Sequence, residues 1–218
     1  MRLPATLFAS FAIAALSAET EARAESPAAP TPQGQVLQDA GPNDSAPKNK
    51  AQEAPPQSPA ELRAELYARL AASHDADETE GLVELLTQTY AQSGSDTGDL
   101  LLSRARKAMG EKEYVAAGEI LDATVALLPD WAEGWNARAT LRYLDDDFDG
   151  SMADIAETLK REPRHLGALM GMSHILEARD KKEEALKVCE RALAIAPHWQ
   201  AAETTAERLR ATIAGQEL

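Results

Sequence analysis

The chain has 218 residues and a formal net charge of −14, from 36 Asp and Glu against 22 Lys and Arg. So acidic a surface argues against nucleic acid and against anionic membranes as partners. A single cysteine excludes an internal disulfide.

Residues 1–24 read as a cleavable export signal. Arg2 supplies the positive start, an apolar stretch runs from Leu3 to Leu16, and Ala22-Arg23-Ala24 offers a small-x-small cleavage site. The stretch is too short to span a bilayer, which needs about 20 apolar residues. The expectation is export to a bacterial periplasm, with secretion as the alternative, a mature chain starting at Glu25 and no membrane span left after cleavage. Residues 25–57 shift to Pro, Ala, Gln, Asn and Gly, with Val36 and Leu37 the only large aliphatics. Such a segment buries too little apolar surface to offset its ordering entropy and is expected to be a disordered, fairly extended tether.

Ser58-Pro59-Ala60-Glu61 opens the folded part as a capping box with proline at the first helical position. Leu62, Leu66, Tyr67 and Leu70 share one face and predict a helix to about Ala72. Leu82, Val83, Leu85, Leu86 and Tyr90 predict a second, ending at the Ser93-Gly94-Ser95 turn. Residues 58–97 are therefore expected to form a helical hairpin that caps the first unit of the segment beyond it.

From residue 98 onward the chain repeats. Pro129, Pro163 and Pro197 recur every 34 residues, each closing an apolar helical run. With each proline set at position 32, position 4 holds Leu101, Trp135 and Leu169, and position 8 holds Ala105, Ala139 and Ser173. Position 20 holds Ala117, Ser151 and Ala185, and position 24 holds Leu121, Ile155 and Cys189. Small residues at 8 and 20 let two helices approach closely, larger ones at 4 and 24 fill a seam, and proline ends each helix. Arg104, Arg138 and Arg142 stand at positions 7 and 11, where snorkelling with the guanidinium in water is expected. After Pro197, Trp199 with Ala202, Ala206, Leu209 and Ile213 predicts a last helix, within residues 200–218, that covers the final apolar edge.

The period and these residues resemble the tetratricopeptide repeat (TPR) family over three units, residues 98–131, 132–165 and 166–199. The resemblance implies an all-α, right-handed superhelical solenoid of antiparallel helix pairs. It also implies a concave inner groove lined from positions 2, 5, 9 and 12. By position these are Asp99, Leu102, Arg106 and Met109; Glu133, Asn136, Thr140 and Tyr143; and Gly167, Met170, His174 and Glu177. The partner-binding residues expected are Leu102, Arg106, Met109, Asn136, Thr140, Tyr143, Met170 and His174, gripping a protein or peptide of the envelope. Leu102 and Arg106 stand where the chaperone-binding subfamily has its Lys/Asn carboxylate clamp, so that specificity does not carry over. The alternative has the same surfaces serve self-association in a homo-oligomeric structural protein.

Other constellations are bland. Asp145, Asp147, Asp149 and Gly150 imitate the opening of an EF-hand loop, but Ala156 stands where the bidentate Glu belongs. That run is expected to be an inter-helix turn. The histidines, His74, His165, His174 and His198, form no i,i+4 pair. There is no nucleophile elbow and no phosphate-cradling loop. Neither enzymatic activity nor a metal or other cofactor is expected, and Cys189 is expected to be a buried structural thiol.

Overall fold

The computed structural model describes residues 58–216. The expected export signal and tether lie outside the described residues.

Among these residues there are nine helices: α1 (Pro59–Ala72), α2 (Ala76–Tyr90), α3 (Asp96–Gly110), α4 (Tyr114–Leu127), α5 (Ala132–Leu144), α6 (Phe148–Arg161), α7 (Leu166–Ala178), α8 (Lys182–Ile195) and α9 (Gln200–Gln216). No strand interrupts them, and none is long and apolar enough to cross a membrane. The helices pack as antiparallel pairs, α3 with α4, α5 with α6 and α7 with α8, and each pair stacks on the next. This is an all-α repeat solenoid.

Local chemistry fixes the boundaries. Ser58 Oγ accepts from the Glu61 N–H at 3.2 Å, so the capping residue satisfies one of the four orphan donors of α1. Gly98 opens the first unit where a Cβ would lie 2.3 Å from Leu128 Cδ1 and 2.6 Å from Ser93 Oγ, so any larger residue would force both side chains to shift.

Within each pair the turn is the same object made three times. Lys112, Asp146 and Asp180 have φ of 63°, 61° and 60°, and they are 34 residues apart. Each ends its helix with a Schellman-type pair of bonds. Asp147 N–H donates to Arg142 O at 2.8 Å and Asp146 N–H to Tyr143 O at 3.2 Å, and equivalent bonds close the other two turns. The Asp145–Gly150 run is this turn, with the Asp147 carboxylate accepting from Gly150 N–H at 2.9 Å as the cap of α6.

The small residues at positions 8 and 20 are all buried. Ser151 Oγ donates across the helix pair to Ala139 O at 2.8 Å, and Ser173 Oγ to Ala185 O at 3.1 Å. Leu121, Ile155, Leu169 and Cys189 are buried between helices. Burial pushes the Cys189 thiol up from its ordinary value. Pro129 and Pro163 are exposed and Pro197 is half-buried, all at turns.

Three expectations need correction. Trp135 is buried on only part of its surface and lies outside the apolar core clusters. Its Nε1 donates to Pro129 O at 2.9 Å, and the guanidinium groups of Arg138 and Arg161 sit 4.9 and 4.8 Å from its ring centroid. The indole turns toward the turn carbonyl because that acceptor satisfies its N–H, a demand the seam cannot meet. Leu101 is also only partly covered, since among the described residues no unit stacks on that side of the first. Arg138 and Arg142 do not snorkel into water; both pair with the buried Asp154, at 2.8 and 2.9 Å. A buried carboxylate needs cationic or hydrogen-bonding partners, and this one draws both arginines inward.

The third correction concerns the hairpin. The hairpin meets the first unit only at its two ends: Ser93 N–H and Oγ donate to Asp99 Oδ1 at 2.7 and 2.6 Å, and the start of α1 borders Leu127 and Leu128 across a cleft. The rest reaches back across the second and third units. Tyr67 Oη donates to Arg164 O at 3.0 Å, and Thr79 Oγ1 donates to Pro197 O at 3.0 Å. Leu66, Leu70, Leu82, Val83 and Leu86 share one buried cluster with residues of α7, α8 and α9, and with Trp199 at 1% exposure. The bare carbonyls of the second and third turns and the apolar surface beside them offer the hairpin more than the first unit does.

Candidate functional site

The inner face is built by α3, α5 and α7, which lie side by side, and the hairpin divides it. Met170, at position 5, is only 3% exposed and belongs to the cluster shared with α1 and α2. Leu102, also at position 5, is 2% exposed and packs with Ala105, Leu121 and Leu141. Position alone assigns both to the groove, and both are core residues. The physical reason is the same for each: an apolar side chain beside a helix-packing surface is drawn under it.

The remaining expected residues, Arg106, Met109, Asn136, Thr140, Tyr143 and His174, are part-exposed. Arg106 and Asn136 converge on one buried carboxylate. Glu133 Oε1 accepts from Arg106 at 2.5 Å, and Oε2 accepts from Asn136 Nδ2 at 3.1 Å. His165 Nε2 stands 3.0 Å from the same Oε2. His165 Nδ1 accepts from the Ala168 N–H at 3.2 Å, so the ring proton sits on Nε2 and is donated to Glu133. Burial alone would raise the Glu133 carboxyl, but the His165 hydrogen bond, with Arg106 and Asn136, holds it below its ordinary value.

Tyr143 and His174 take no part in that network. The Tyr143 ring packs at a tilt against Phe148, centroids 5.4 Å apart, and burial raises its hydroxyl pKa. Burial pushes the His174 imidazole down, opposed by the Glu177 carboxylate nearby. Glu177 in turn accepts from both terminal nitrogens of Arg208 on α9. Thr140 Oγ1 donates to Asn136 O at 3.0 Å. The uncovered strip thus runs through positions 9 and 12, from Arg106 and Met109 past Thr140 and Tyr143 to His174.

Position-based reasoning places Glu133 in the groove lining without showing that it is the hub, and it misses Trp131, His165 and the two hairpin tyrosines as organisers of this face. Trp131 Nε1 donates to Tyr90 O at 2.9 Å, capping the end of α2, and Tyr90 stacks on His165. Tyr67 and Tyr90 hydrogen-bond through their hydroxyls, and burial raises both pKa values well above the ordinary. A sequence signal for them exists: Trp131, His165 and Trp199 recur at position 34. Where the start of α1 meets the first two units, a cleft of about 620 Å³ opens, lined among others by Pro59, Arg63, Leu127, Pro129 and Trp131.

Among the described residues no group of three or more His, Cys, Asp or Glu is placed to hold a metal ion. In the acidic turn Asp147 is committed to capping and Asp149 to Arg179, 2.5 Å away.

No family model matches the sequence. A TPR repeat-containing protein of Rhizobium etli is 38% identical over 158 residues, spanning 72% of this chain and 78% of the relative. The TPR domain of Arabidopsis OM64 superposes with a TM-score of 0.51 at 17% identity, covering 54% of this chain and 97% of that domain, a likeness of fold. On the identity and coverage of its Rhizobium relative, this chain is a member of the tetratricopeptide repeat family.

Proposed function

We propose that the protein is an exported, non-enzymatic interaction module that holds an extended or helical peptide of a periplasmic partner along the uncovered strip. The TPR fold is a protein-interaction scaffold in general, and one observation carries the finer reading. Side chains of three successive units, Arg106 and Met109, Asn136, Thr140 and Tyr143, and His174, stay part-exposed on one face, while Leu102 and Met170 of that face lie in the core or under the hairpin. Only the stacked solenoid brings them together. Tyr143 serves as the aromatic anchor, with hydrogen-bonding groups on either side. Export rests on the leader read in residues 1–24.

Affinity capture on the processed protein from an envelope extract, followed by titration of the recovered partner, tests this. Tyr143→Ala is expected to weaken binding by about 2 kcal/mol or more, as hot-spot aromatics do. A partner that binds folded Tyr143→Ala as tightly as the wild type would remove the strip from consideration. N-terminal sequencing from the envelope fraction is expected to start at Glu25.

A further inference from the structure

In a TPR array each unit's edge is covered by the unit before it, and among the described residues no unit covers the first one in this way. Position 3 makes the contrast plain. In the second unit it is Gly134, buried so closely against α4 that a Cβ would stand 3.4 Å from Thr124 Cγ2 and 3.7 Å from Val125 Cγ1. In the third it is Ala168, buried in a cluster with Ile155 of α6. In the first it is Leu100, 51% exposed.

The second helix of each unit shows the same contrast. Arg161, at position 30 of the second unit, donates to Pro129 O of the preceding turn at 2.5 Å. Arg191, at position 26 of the third, donates to Pro163 O at 2.8 Å. The first unit has Ala123 and Leu127 at these places, both exposed, with Leu127 at 53%. Ala116, Ile120, Ala123 and Leu127 lie on one face of α4 at the spacing of a helix-packing stripe. Gly98 abuts Leu128, so the start of α3 adjoins the end of α4 and brings Leu100 to the same end as Leu127. The cleft beside Leu127 adds a recess that can take a side chain.

We propose that this α3–α4 edge docks on the same edge of a second copy of the chain, giving a two-fold dimer. A two-fold interface must be self-complementary, and the charges meet that demand. On α3, Asp96 and Arg104 flank Leu100 at four residues to either side, and on α4 Glu119 is three residues beyond Ala116; all three are exposed, and among the described residues none forms an ion pair. Each edge therefore offers its mate an unpaired cation, Arg104, and unpaired carboxylates, with Glu119 on the helix that carries the apolar stripe. Burying Leu100 and the α4 stripe of both copies supplies the attraction. The exposed residues of this edge, Leu100, Ala123 and Leu127, are not among those of the inner strip.

Sedimentation velocity on the purified, processed protein tests the proposal. The expected result is a monomer–dimer equilibrium with a Kd of roughly micromolar order. Leu127→Glu weakens it about tenfold or more, since a charge placed in an apolar contact must be desolvated. Arg104→Glu and Glu119→Arg each weaken it about fivefold, and the double charge reversal in one chain restores it to within about twofold of wild type. Thermal melts of all variants stay close to wild type because the sites lie at the surface. A chain that remains monomeric at about 200 μM, well above that Kd, overturns the proposal. So does a dimer indifferent to Leu127→Glu, or charge reversals that do not recover together.

Discussion

Tyr90 of α2 lies flat on His165 at the start of α7, with ring centroids 4.1 Å apart and planes 18° from parallel. The contact joins two systems. On one side are the hairpin hydroxyls, with Tyr67 Oη donating to Arg164 O and the Arg164 guanidinium 3.6 Å from the centroid of the Tyr67 ring. On the other is the buried Glu133 carboxylate held by His165, Arg106 and Asn136.

Tyr90→Ala removes the stack and the ring, and is expected to cost about 3–5 kcal/mol, as buried aromatic truncations do. Tyr90→Phe keeps the ring and leaves Tyr67 its own acceptor, so it should cost about 1 kcal/mol. Urea titration reads both. If Tyr90→Ala cost less than Tyr90→Phe, the hairpin would not be docked through this residue.

Glu133 gives stability a dependence on acid. Its carboxyl is held below the ordinary value of 4.5 in the folded chain, so between the two values the unfolded chain binds more protons than the folded one. The contribution is complete above the unfolded value and is lost as pH falls through the folded one. Glu133→Gln, which keeps the shape and removes the charge, is expected to be less stable by about 1–3 kcal/mol at pH 7. The gap between the two proteins should narrow as the pH falls below about 4. A gap that stays constant from about pH 7 to about pH 3 in urea midpoints would contradict the assignment.

The three left-handed turn residues invite improvement. Lys112 bears the steric cost of positive φ in full, whereas aspartate at 146 and 180 tolerates that region better. Lys112→Gly is expected to stabilise by about 0.5–1 kcal/mol, and Asp146→Gly and Asp180→Gly by less. The sites are a full repeat apart, so the triple variant should show the sum in its denaturation midpoint. A loss of stability in Lys112→Gly would mean the turn is not left-handed there.

Two tryptophans should behave differently. Trp199 is almost wholly buried, and Trp199→Ala should cost about 3–5 kcal/mol. Trp135 is part-exposed between two arginines, and Trp135→Ala should cost only about 1–2 kcal/mol, from two cation–π contacts and one hydrogen bond. Equal losses in parallel denaturation curves would place Trp135 in the core after all.

The solenoid is legible in the sequence because its determinants are local and periodic. Prolines at 34-residue spacing, small residues at positions 8 and 20, and the Ser58 cap each act on their own neighbourhood. What is not legible depends on distance. Nothing near Tyr67 or Thr79 reveals that their hydroxyls will find the carbonyls of Arg164 and Pro197, so sequence order assigns the hairpin to the unit next to it. The same long reach buries Met170, which position alone assigns to the groove. Asp154 shows a related limit: a carboxylate that looks solvent-facing is buried because two arginines from the neighbouring helix come to meet it.

The latch between hairpin and third unit also changes how this chain must fold. An ordinary repeat array has only neighbour-to-neighbour contacts, can nucleate anywhere and frays from its ends. Here Tyr67 bonds to a carbonyl 97 residues onward and Thr79 to one 118 residues onward. Among the described helices, α1 and α2 therefore have no complete docking surface until α8 and the Pro197 turn have been synthesised. Loop-closure entropy of that span is met late and all at once. The described residues close into a ring of contacts, and unfolding from either end must break the latch, which makes a solenoid behave as one cooperative unit.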